Sequence, residues 1–242
     1  MLWALNWKNP ATKQFVLNEN PLRGFAFTDE ANPRRPVATQ DRFEKVRAVS
    51  DHIDMEVYRG GKRFKVRSCL SEVLDIVNCT GRRISAIISL RYSDLVLKGG
   101  GPYGAIQWPA DTDKEGKVWF VPMSAPLRAA IDRVLADRQV IGTAYLFPSP
   151  RKPSRHISKD RVRRWLLYAE ELAGVEKQQG SLWHAYRRKW ATERKHLPDA
   201  DVMKAGGWSN IESLKTAYQH ADPKTMLQVM TEPIPLREAE SV

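Results

Sequence analysis

The stretch that ends at Gly81 constrains the fold more than any other part of this 242-residue chain. Apolar side chains recur there at intervals of three and four, which places them on one helix face: Val66, Cys69, Leu70, Val73, Leu74 and Val77. Gly81 stands where that helix should stop, because glycine readily adopts the left-handed conformation that ends helices. The pattern predicts a helix with one buried face, followed by a turn that carries Arg82 and Arg83.

Further helices are predicted on both sides of this one. Thr39 could cap a helix from Gln40 whose apolar stripe is Phe43, Val46, Val49 and Ile53. A short helix with Ile84, Ile87 and Ile88 follows, Ser124 caps another, and the rest are expected near 159–172, 183–196, 201–205, 211–218 and 223–230. Three short β-like runs lie between residues 94 and 124, separated by glycine-containing turns. We therefore expect an α+β fold, mainly helical, with one small three-stranded antiparallel sheet.

The charge balance indicates a polyanionic partner. The chain has 39 Lys and Arg against 28 Asp and Glu, a net charge of +11, and a clustered excess of this kind is typical of nucleic-acid binding. The densest cluster supplies the candidate DNA-binding residues: Arg151, Lys152, Arg155, Lys159, Arg161, Arg163 and Arg164. Two cysteines make no disulfide framework, and no apolar run approaches the ~20 residues of a membrane span. A soluble, cytoplasmic protein is expected.

Most of the candidate reactive residues lie in the second half of the chain. His184 and Arg187 are three apart and share a helix face, and Tyr218 offers a phenol that can attack a phosphate. Arg83 and Arg187 could clamp that phosphate, because a planar guanidinium grips two oxygens at once. Arg82, beside Arg83, is an alternative for the upstream position.

Two more side chains, Trp208 and Lys114, complete this set of candidates. His184 can donate to or accept from the same phosphate, and Trp208 can donate its indole N–H. Lys114, in a turn between β-like runs, could carry a proton to the leaving 5′ oxygen, with Lys117 as its competitor. No cluster of His, Asp or Glu has metal-ligand spacing, so neither a metal nor another cofactor is expected.

These segments, in their order, resemble the tyrosine recombinases, or phage integrase family. The resemblance covers roughly residues 39–231 and has five parts: Thr80-Gly-Arg-Arg83-Ile-Ser85, a turn lysine at Lys114, His184-Ala-Tyr-Arg187, Gly207-Trp208 and Tyr218-Gln-His220. It implies that Tyr218 forms a 3′-phosphotyrosyl link and releases a 5′-hydroxyl. It further implies that Arg83 and Arg187 bind the non-bridging oxygens, that His184 and Trp208 support them, and that Lys114 is the general acid.

The resemblance also implies a domain organisation and partners. Residues 1–38 are expected to be a remnant of an N-terminal core-binding domain plus linker, residues 39–231 the catalytic domain, and residues 232–242 a tail. The partner would be double-stranded DNA, on which four copies assemble over paired sites, while the free chain could be a monomer. The last helix would dock on a neighbouring copy.

Two other functions are compatible with the sequence. A type IB topoisomerase-like enzyme would use the same chemistry but relax DNA as a monomer. A basic helical DNA-binding module without catalysis would make Tyr218 dispensable, although the complete set of Arg, Lys, His, Arg, Trp and Tyr argues against that reading.

Overall fold

The structure, a computed structural model, describes residues 8–15, 35–110, 116–137, 141–178, 182–221 and 223–231. Within these ranges only the backbone is described for Met55, Val57, Tyr58, Arg59, Pro223, Lys224, Gln228 and Thr231. The chain divides into two compact units, residues 1–34 and 35–242. In the first, an antiparallel bridge joins Lys8 to Phe15. Most of the expected N-terminal remnant, and all of the expected tail at 232–242, lie outside the described residues.

The second unit is mainly helical. Its helices are α1 (Gln40–Ser50), α2 (Leu70–Thr80), α3 (Ile84–Ile88), α4 (Ala125–Ala136), α5 (Lys159–Leu172), α6 (Leu182–Glu193), α7 (Asp199–Gly206), α8 (Ile211–Ala217) and α9 (Pro223–Thr231). Its strands are β1 (Asp54–Arg59), β2 (Lys62–Arg67), β3 (Leu95–Val96), β4 (Ala105–Trp108) and β5 (Trp119–Pro122). Strands β3, β4 and β5 form an antiparallel sheet in that order. The predicted α+β class, mainly helical with a small three-stranded antiparallel sheet, is confirmed.

The hairpin formed by β1 and β2 was not predicted. It is antiparallel with Arg59 opposite Lys62, and its turn residues Gly60 and Gly61 both have positive φ, as a two-residue hairpin turn requires. The prediction that Val66 begins the buried helix face is wrong: Val66 lies in β2, is 39% exposed and pairs with Met55. The helix starts only at Leu70 because the intervening residues satisfy their backbone groups in the hairpin.

The first predicted helix is confirmed at its start and wrong at its end. The Thr39 side chain accepts a hydrogen bond from the Arg42 N–H at 3.1 Å and caps α1. The helix ends at Ser50, so Ile53 does not continue the stripe of Phe43 and Val46, although it is buried. Its carbonyl instead accepts from the Ser68 N–H across the base of the hairpin.

Helix α2 lies at the centre of the main hydrophobic core. Leu70, Val73, Leu74 and Val77 are at most 1% exposed, and the helix packs against α1, α4, α5 and α6. Burying each such side chain contributes roughly 1.5–3 kcal/mol. The predicted stop is confirmed: Gly81 has φ +60°, and a Cβ on it would lie 2.4 Å from the Trp190 ring of α6. Because Gly81 packs closely against α6, the next two residues, Arg82 and Arg83, lie near α6 and α7.

Candidate active site

Arg187 is held in a cradle of backbone carbonyls. Its side chain lies on α6, and the residue is 1% exposed. Nη1 donates to the carbonyls of Gly81 and Gly206, the latter at 2.6 Å, and Nη2 donates to the Gly207 carbonyl at 3.4 Å. The guanidinium carbon lies 3.5 Å from the Trp208 ring centroid. The carbonyls on one side and the indole face on the other fix the plane of the guanidinium.

Burial also affects the charge of this group. Desolvation, together with repulsion from Arg83, lowers the pKa of Arg187 to about 9, with the Tyr218 oxygen partly offsetting the shift. The group therefore still carries its charge at neutral pH. Its Nε atom is buried and has no hydrogen-bond partner within the described ranges.

The two arginines after Gly81 have different environments. Arg82 is 4% exposed; its Nε and Nη2 donate to the carbonyls of Ala205 and Lys204 at 2.8 and 2.7 Å. Its guanidinium carbon lies 4.8 Å from the Trp108 ring centroid. Arg83 is half-buried, and its Nη1 donates to the Gly207 carbonyl at 3.2 Å. Arg82 thus binds the end of α7, and Arg83 is the more accessible of the two cations.

The Gly206-Gly207-Trp208 turn supplies two carbonyls to the cations: Gly206 accepts from Arg187, and Gly207 accepts from both Arg83 and Arg187. Helix α7 ends there: Gly207 has φ +71°, and the N–H groups of Gly207 and Trp208 both donate to the Met203 carbonyl. A Cβ on Gly207 would lie 2.3 Å from Nη1 of Arg82. Trp208 is 2% exposed and stacks on Trp190 with ring centroids 6.0 Å apart. The turn therefore requires glycine for both its conformation and its close contact.

Tyr218 lies beside this cradle, immediately after α8. Its hydroxyl oxygen is 3.0 Å from Nδ1 of His184. Its ring meets the Trp208 ring edge-on at 5.1 Å, and the Arg187 guanidinium carbon is 5.2 Å from its centroid. Five residues that the sequence singled out therefore lie close together in the fold: Arg83, His184, Arg187, Trp208 and Tyr218.

His184 is neutral in this environment. Burial, followed by repulsion from Arg187, Arg188, Arg83 and Arg35, lowers the pKa of His184 to about 4. A neutral imidazole has one nitrogen that accepts and one that donates. In the tautomer whose Nδ1 accepts from the Tyr218 hydroxyl, the imidazole proton lies on Nε2.

An open cavity of about 300 Å³ adjoins these residues. Its lining includes Arg83, His184 and Arg187 together with Lys159 and Arg163 of α5. Counting Arg82, five cationic side chains and the single carboxylate of Asp160 contribute to the lining. An anion entering the cavity would meet a strongly positive potential with neutral His184 at its wall.

The residues of the basic segment before and within α5 lie in three different environments. Lys159 and Arg163 reach the cavity, whereas Arg151, Lys152 and Arg155 are exposed on a turn closed by the hydrogen bond from Ser149 N–H to the Arg155 carbonyl. Arg164 is exposed and Arg161 is half-buried. Burial and repulsion from Arg151 and Arg164 lower the pKa of Arg161. Like charges held this close together favour contact with a polyanion.

Lys114 lies outside the described residues, which resume at Gly116 after a break at 111–115. Its competitor Lys117 is described and exposed. In the described part of the chain, no three or more His, Cys, Asp or Glu side chains are grouped so that they could hold a metal ion. No helix there is long and apolar enough to cross a membrane.

Sequence reasoning missed the groups that hold the cations in place. The carbonyls of Gly81, Gly206 and Gly207 carry no side-chain signal, although the consecutive glycines before Trp208 indicate a tight turn. The role of Arg82 was also missed. A second arginine directly after a helix stop was the available signal, but it did not indicate which helix end that side chain would bind.

The chain is similar to known proteins in both sequence and structure. The sequence model of the phage integrase family matches residues 61–225. A comparison with curated proteins gave no match. Among solved structures, XerA recombinase is similar with a TM-score of 0.62 and 16% identity, covering 88% of this chain and 68% of the XerA chain.

Two DNA complexes are similarly related. XerH site-specific recombinase, bound to palindromic difH substrate in a post-cleavage complex, gives a TM-score of 0.64 at 18% identity, covering 93% of this chain and 61% of that one. The Tn1549 transposon integrase, in complex with circular intermediate DNA, gives 0.59 at 18% identity, with 89% and 71% covered. This chain therefore spans only part of the length of each of these proteins.

The fold is that of a tyrosine recombinase catalytic domain. More specifically, the family match extends over more than half of the sequence, and the chain belongs to the phage integrase family. The resemblance that the sequence motifs indicated is confirmed at the level of family and fold.

Proposed function

We propose that this chain cleaves and rejoins DNA as the catalytic domain of a site-specific recombinase, with Tyr218 as the nucleophile. The observation that carries the proposal is the hydroxyl of Tyr218 at 3.0 Å from His184 Nδ1, beside the cavity that Arg83 and Arg187 line. XerH and the Tn1549 integrase, which share the fold, were solved on DNA. The proposal needs neither a metal nor another cofactor.

In the proposed first step, the Tyr218 oxygen attacks the scissile phosphorus and its proton passes to Nδ1 of His184. A P–O(Tyr) bond forms, the bond from phosphorus to the 5′ oxygen breaks, and that oxygen takes a proton from a general acid. Lys114 is the proposed acid, with Lys117 as the alternative. A 5′-hydroxyl of another strand reverses the step, so that no bond energy is lost and no nucleotide is consumed.

His184 is a weak base in the absence of DNA, and the reason lies in its neighbours. After burial itself, the charges of Arg187, Arg188 and Arg83 lower its pKa. A phosphodiester in the cavity would neutralise part of that charge. Binding of DNA would therefore raise the basicity of His184 at the stage when Tyr218 has to lose its proton.

Arg83 and Arg187 would bind the non-bridging oxygens of the phosphate and stabilise the charge of the transition state. Arg187 is already oriented by three carbonyls and by the face of Trp208. Such preorganisation lowers the barrier because no reorganisation is needed during the reaction. In this proposal Trp208 acts through its ring face, which lies against the Arg187 guanidinium.

The remaining parts of the proposal concern partners. Lys159 and Arg163 would contact phosphates next to the scissile one, while Arg151, Lys152, Arg155, Arg161 and Arg164 would extend the contact along double-stranded DNA. A homo-tetramer on paired sites, with α9 docking on a neighbour, would complete recombination, and the free chain could be a monomer. The proposed location is the cytoplasm, associated with DNA.

The decisive test is a covalent adduct. The chain is incubated with a pool of randomised duplexes that carry a nick, so that cleavage near the nick releases a short fragment and traps the enzyme on DNA. We expect an adduct that survives denaturation. Tyr218→Phe should abolish it and leave DNA binding unchanged, whereas the control Tyr103→Phe, at an exposed loop tyrosine, should behave as wild type.

The outcomes also separate the alternatives. DNA binding without any adduct from the wild-type chain would contradict the proposal and identify a non-catalytic binding module. An adduct together with relaxation of supercoiled plasmid by monomeric protein would instead identify a type IB topoisomerase-like enzyme.

A further inference from the structure

We infer that the hydroxyl of Thr192 positions the nucleophile by clamping the backbone around Tyr218. This inference deepens the proposed function and rests on it. Thr192 lies on α6, the helix that also carries His184 and Arg187. Its role would be to fix the tyrosine rather than to touch DNA.

One hydroxyl makes both contacts. The Thr192 Oγ1 donates to the Tyr218 carbonyl at 3.1 Å and accepts from the His220 N–H at 3.2 Å. A threonine hydroxyl has one proton to donate and lone pairs to accept, so it can form both hydrogen bonds at once. The backbone on both sides of Gln219 is thereby joined to a single atom on α6.

This part of the chain has a structural need for such a clamp. Helix α8 ends at Ala217, and Tyr218 has already left helical geometry with φ −124° and ψ −33°. The N–H groups of Tyr218 and Gln219 still donate to the Leu214 carbonyl, but the last carbonyls of a helix have no partner within it. Thr192 provides the partner that the Tyr218 carbonyl would otherwise lack in its own helix.

Thr192 lies on the same side of α6 as His184, which contacts the Tyr218 hydroxyl. Thr192 follows His184 by eight residues, which is two helical turns and about 80° of rotation, so both point to the same side of α6. The tyrosine lies along this side: its carbonyl meets Thr192, its ring lies beside Arg187, and its hydroxyl meets His184. Two fixed points on one helix therefore determine where the oxygen is held.

Helical threonines commonly bond their hydroxyl to the carbonyl four residues earlier. Thr216 does so, donating to the Glu212 carbonyl at 2.7 Å within α8. Thr192 bonds instead to a segment 26 residues away in sequence. Thr216 is thus a matched control: it has the same residue type and a comparable hydrogen bond, on the helix that precedes the nucleophile, but no contact with the clamped backbone.

The test compares Thr192→Val, which keeps the shape and removes the hydroxyl, with Thr192→Ser, which keeps the hydroxyl, and with Thr216→Val. Amide hydrogen exchange of His220 is measured on the full chain without DNA. The His220 amide, measured relative to the Leu214 amide, should exchange faster in Thr192→Val than in wild type. In Thr192→Ser and Thr216→Val it should exchange as in wild type. If the valine variant does not fold, Thr192→Ala takes its place in both measurements.

The second measurement is the rate of adduct formation on nicked duplexes from the pool with which the wild-type chain reacts. Losing two hydrogen bonds that orient a nucleophile should slow Thr192→Val about tenfold or more, at unchanged DNA affinity. Thr192→Ser should remain within about threefold of wild type, because its hydroxyl can form both bonds. Thr216→Val should react as wild type.

Unchanged His220 exchange in Thr192→Val would overturn the clamp. Faster exchange with a wild-type rate of adduct formation would show that the hydroxyl only stabilises the helix end, and it would overturn the positioning role. A wild-type chain that forms no adduct with any duplex would contradict the proposed function, and the exchange comparison would then decide about the clamp on its own.

Discussion

Arg82 and Arg83 are adjacent in sequence, yet their replacement should separate stability from catalysis. Arg82 is 4% exposed and holds two carbonyls at the end of α7, whereas Arg83 is half-buried and makes one hydrogen bond, at 3.2 Å. Methionine keeps most of the aliphatic stem in either position. We therefore expect Arg82→Met to destabilise the fold strongly, and Arg83→Met to leave it nearly unchanged while abolishing strand cleavage.

The magnitude follows from the contacts. Hydrogen bonds from a charged donor contribute about 1.5–3 kcal/mol each, and a cation over an aromatic ring contributes roughly 1 kcal/mol more. Removing the buried charge also removes its desolvation penalty, which offsets part of the loss. For Arg82→Met the net loss should be about 2–4 kcal/mol, with the carbonyls of Lys204 and Ala205 left unpaired. For Arg83→Met the loss should stay below about 1 kcal/mol.

Urea unfolding followed by tryptophan fluorescence measures both variants. With a slope of about 2 kcal/mol per molar, the midpoint of Arg82→Met should fall by about 1–2 M. The nicked-duplex assay then measures adduct formation by Arg83→Met at protein concentrations where DNA binding is saturated. An Arg82→Met midpoint equal to that of wild type, or a larger loss of stability in Arg83→Met, would refute the assignment of the two roles.

Three further perturbations have defined outcomes. Gly207→Ala forces a side chain into φ +71° and against Arg82, so urea unfolding should show a loss of about 1–3 kcal/mol; an unchanged midpoint would contradict the strain argument. Because the folded pKa of His184 is lowered from 6.5 to about 4, the unfolded chain binds a proton first as pH falls through this window. The free energy of unfolding should therefore fall by about 1–2 kcal/mol from pH 6.5 to pH 4, after allowance for partial exposure of the ring. His184→Gln should flatten that decline; an equally steep decline in the variant would mean that other groups cause it. Arg163→Ala should leave stability unchanged and reduce the salt dependence of DNA binding by about one phosphate contact; an unchanged salt slope would remove it from the interface.

Local patterns were sufficient wherever one face of an element is buried. The spacing of Leu70, Val73, Leu74 and Val77 predicted α2, and Gly81 predicted its end, because burial and backbone conformation both depend on nearby sequence. The three short strands and the helix capped by Ser124 were predicted for the same reason. The hairpin of β1 and β2 was missed because every residue of β2 is exposed, so no buried face marked it. Gly60-Gly61 was the only local signal, and Val66 happened to fit the helical period of the next element.

The side chains of the candidate site could be proposed from the sequence, but the groups that hold them in place could not. His184, Arg187 and Tyr218 belong to motifs that can be read from residue types at fixed spacing. The Gly206 and Gly207 carbonyls, Arg82 and Thr192 act through backbone groups distant in sequence, and no residue pattern specifies a carbonyl direction. Whether five separate segments converge depends on how α6, α7 and α8 pack, which is a tertiary property.

We propose that one chain holds its own nucleophile in its own cationic site, because the Tyr218 hydroxyl lies 3.0 Å from His184 Nδ1 of the same chain. Mixing Tyr218→Phe with Arg83→Met on one reactive duplex tests it most directly, with mixtures of wild type and each variant as positive controls. Each variant lacks one half of the site, so the mixture of the two should give no covalent adduct. An adduct in that mixture would mean that Tyr218 of one copy attacks at the arginines of another, and that the site is not contained within one chain.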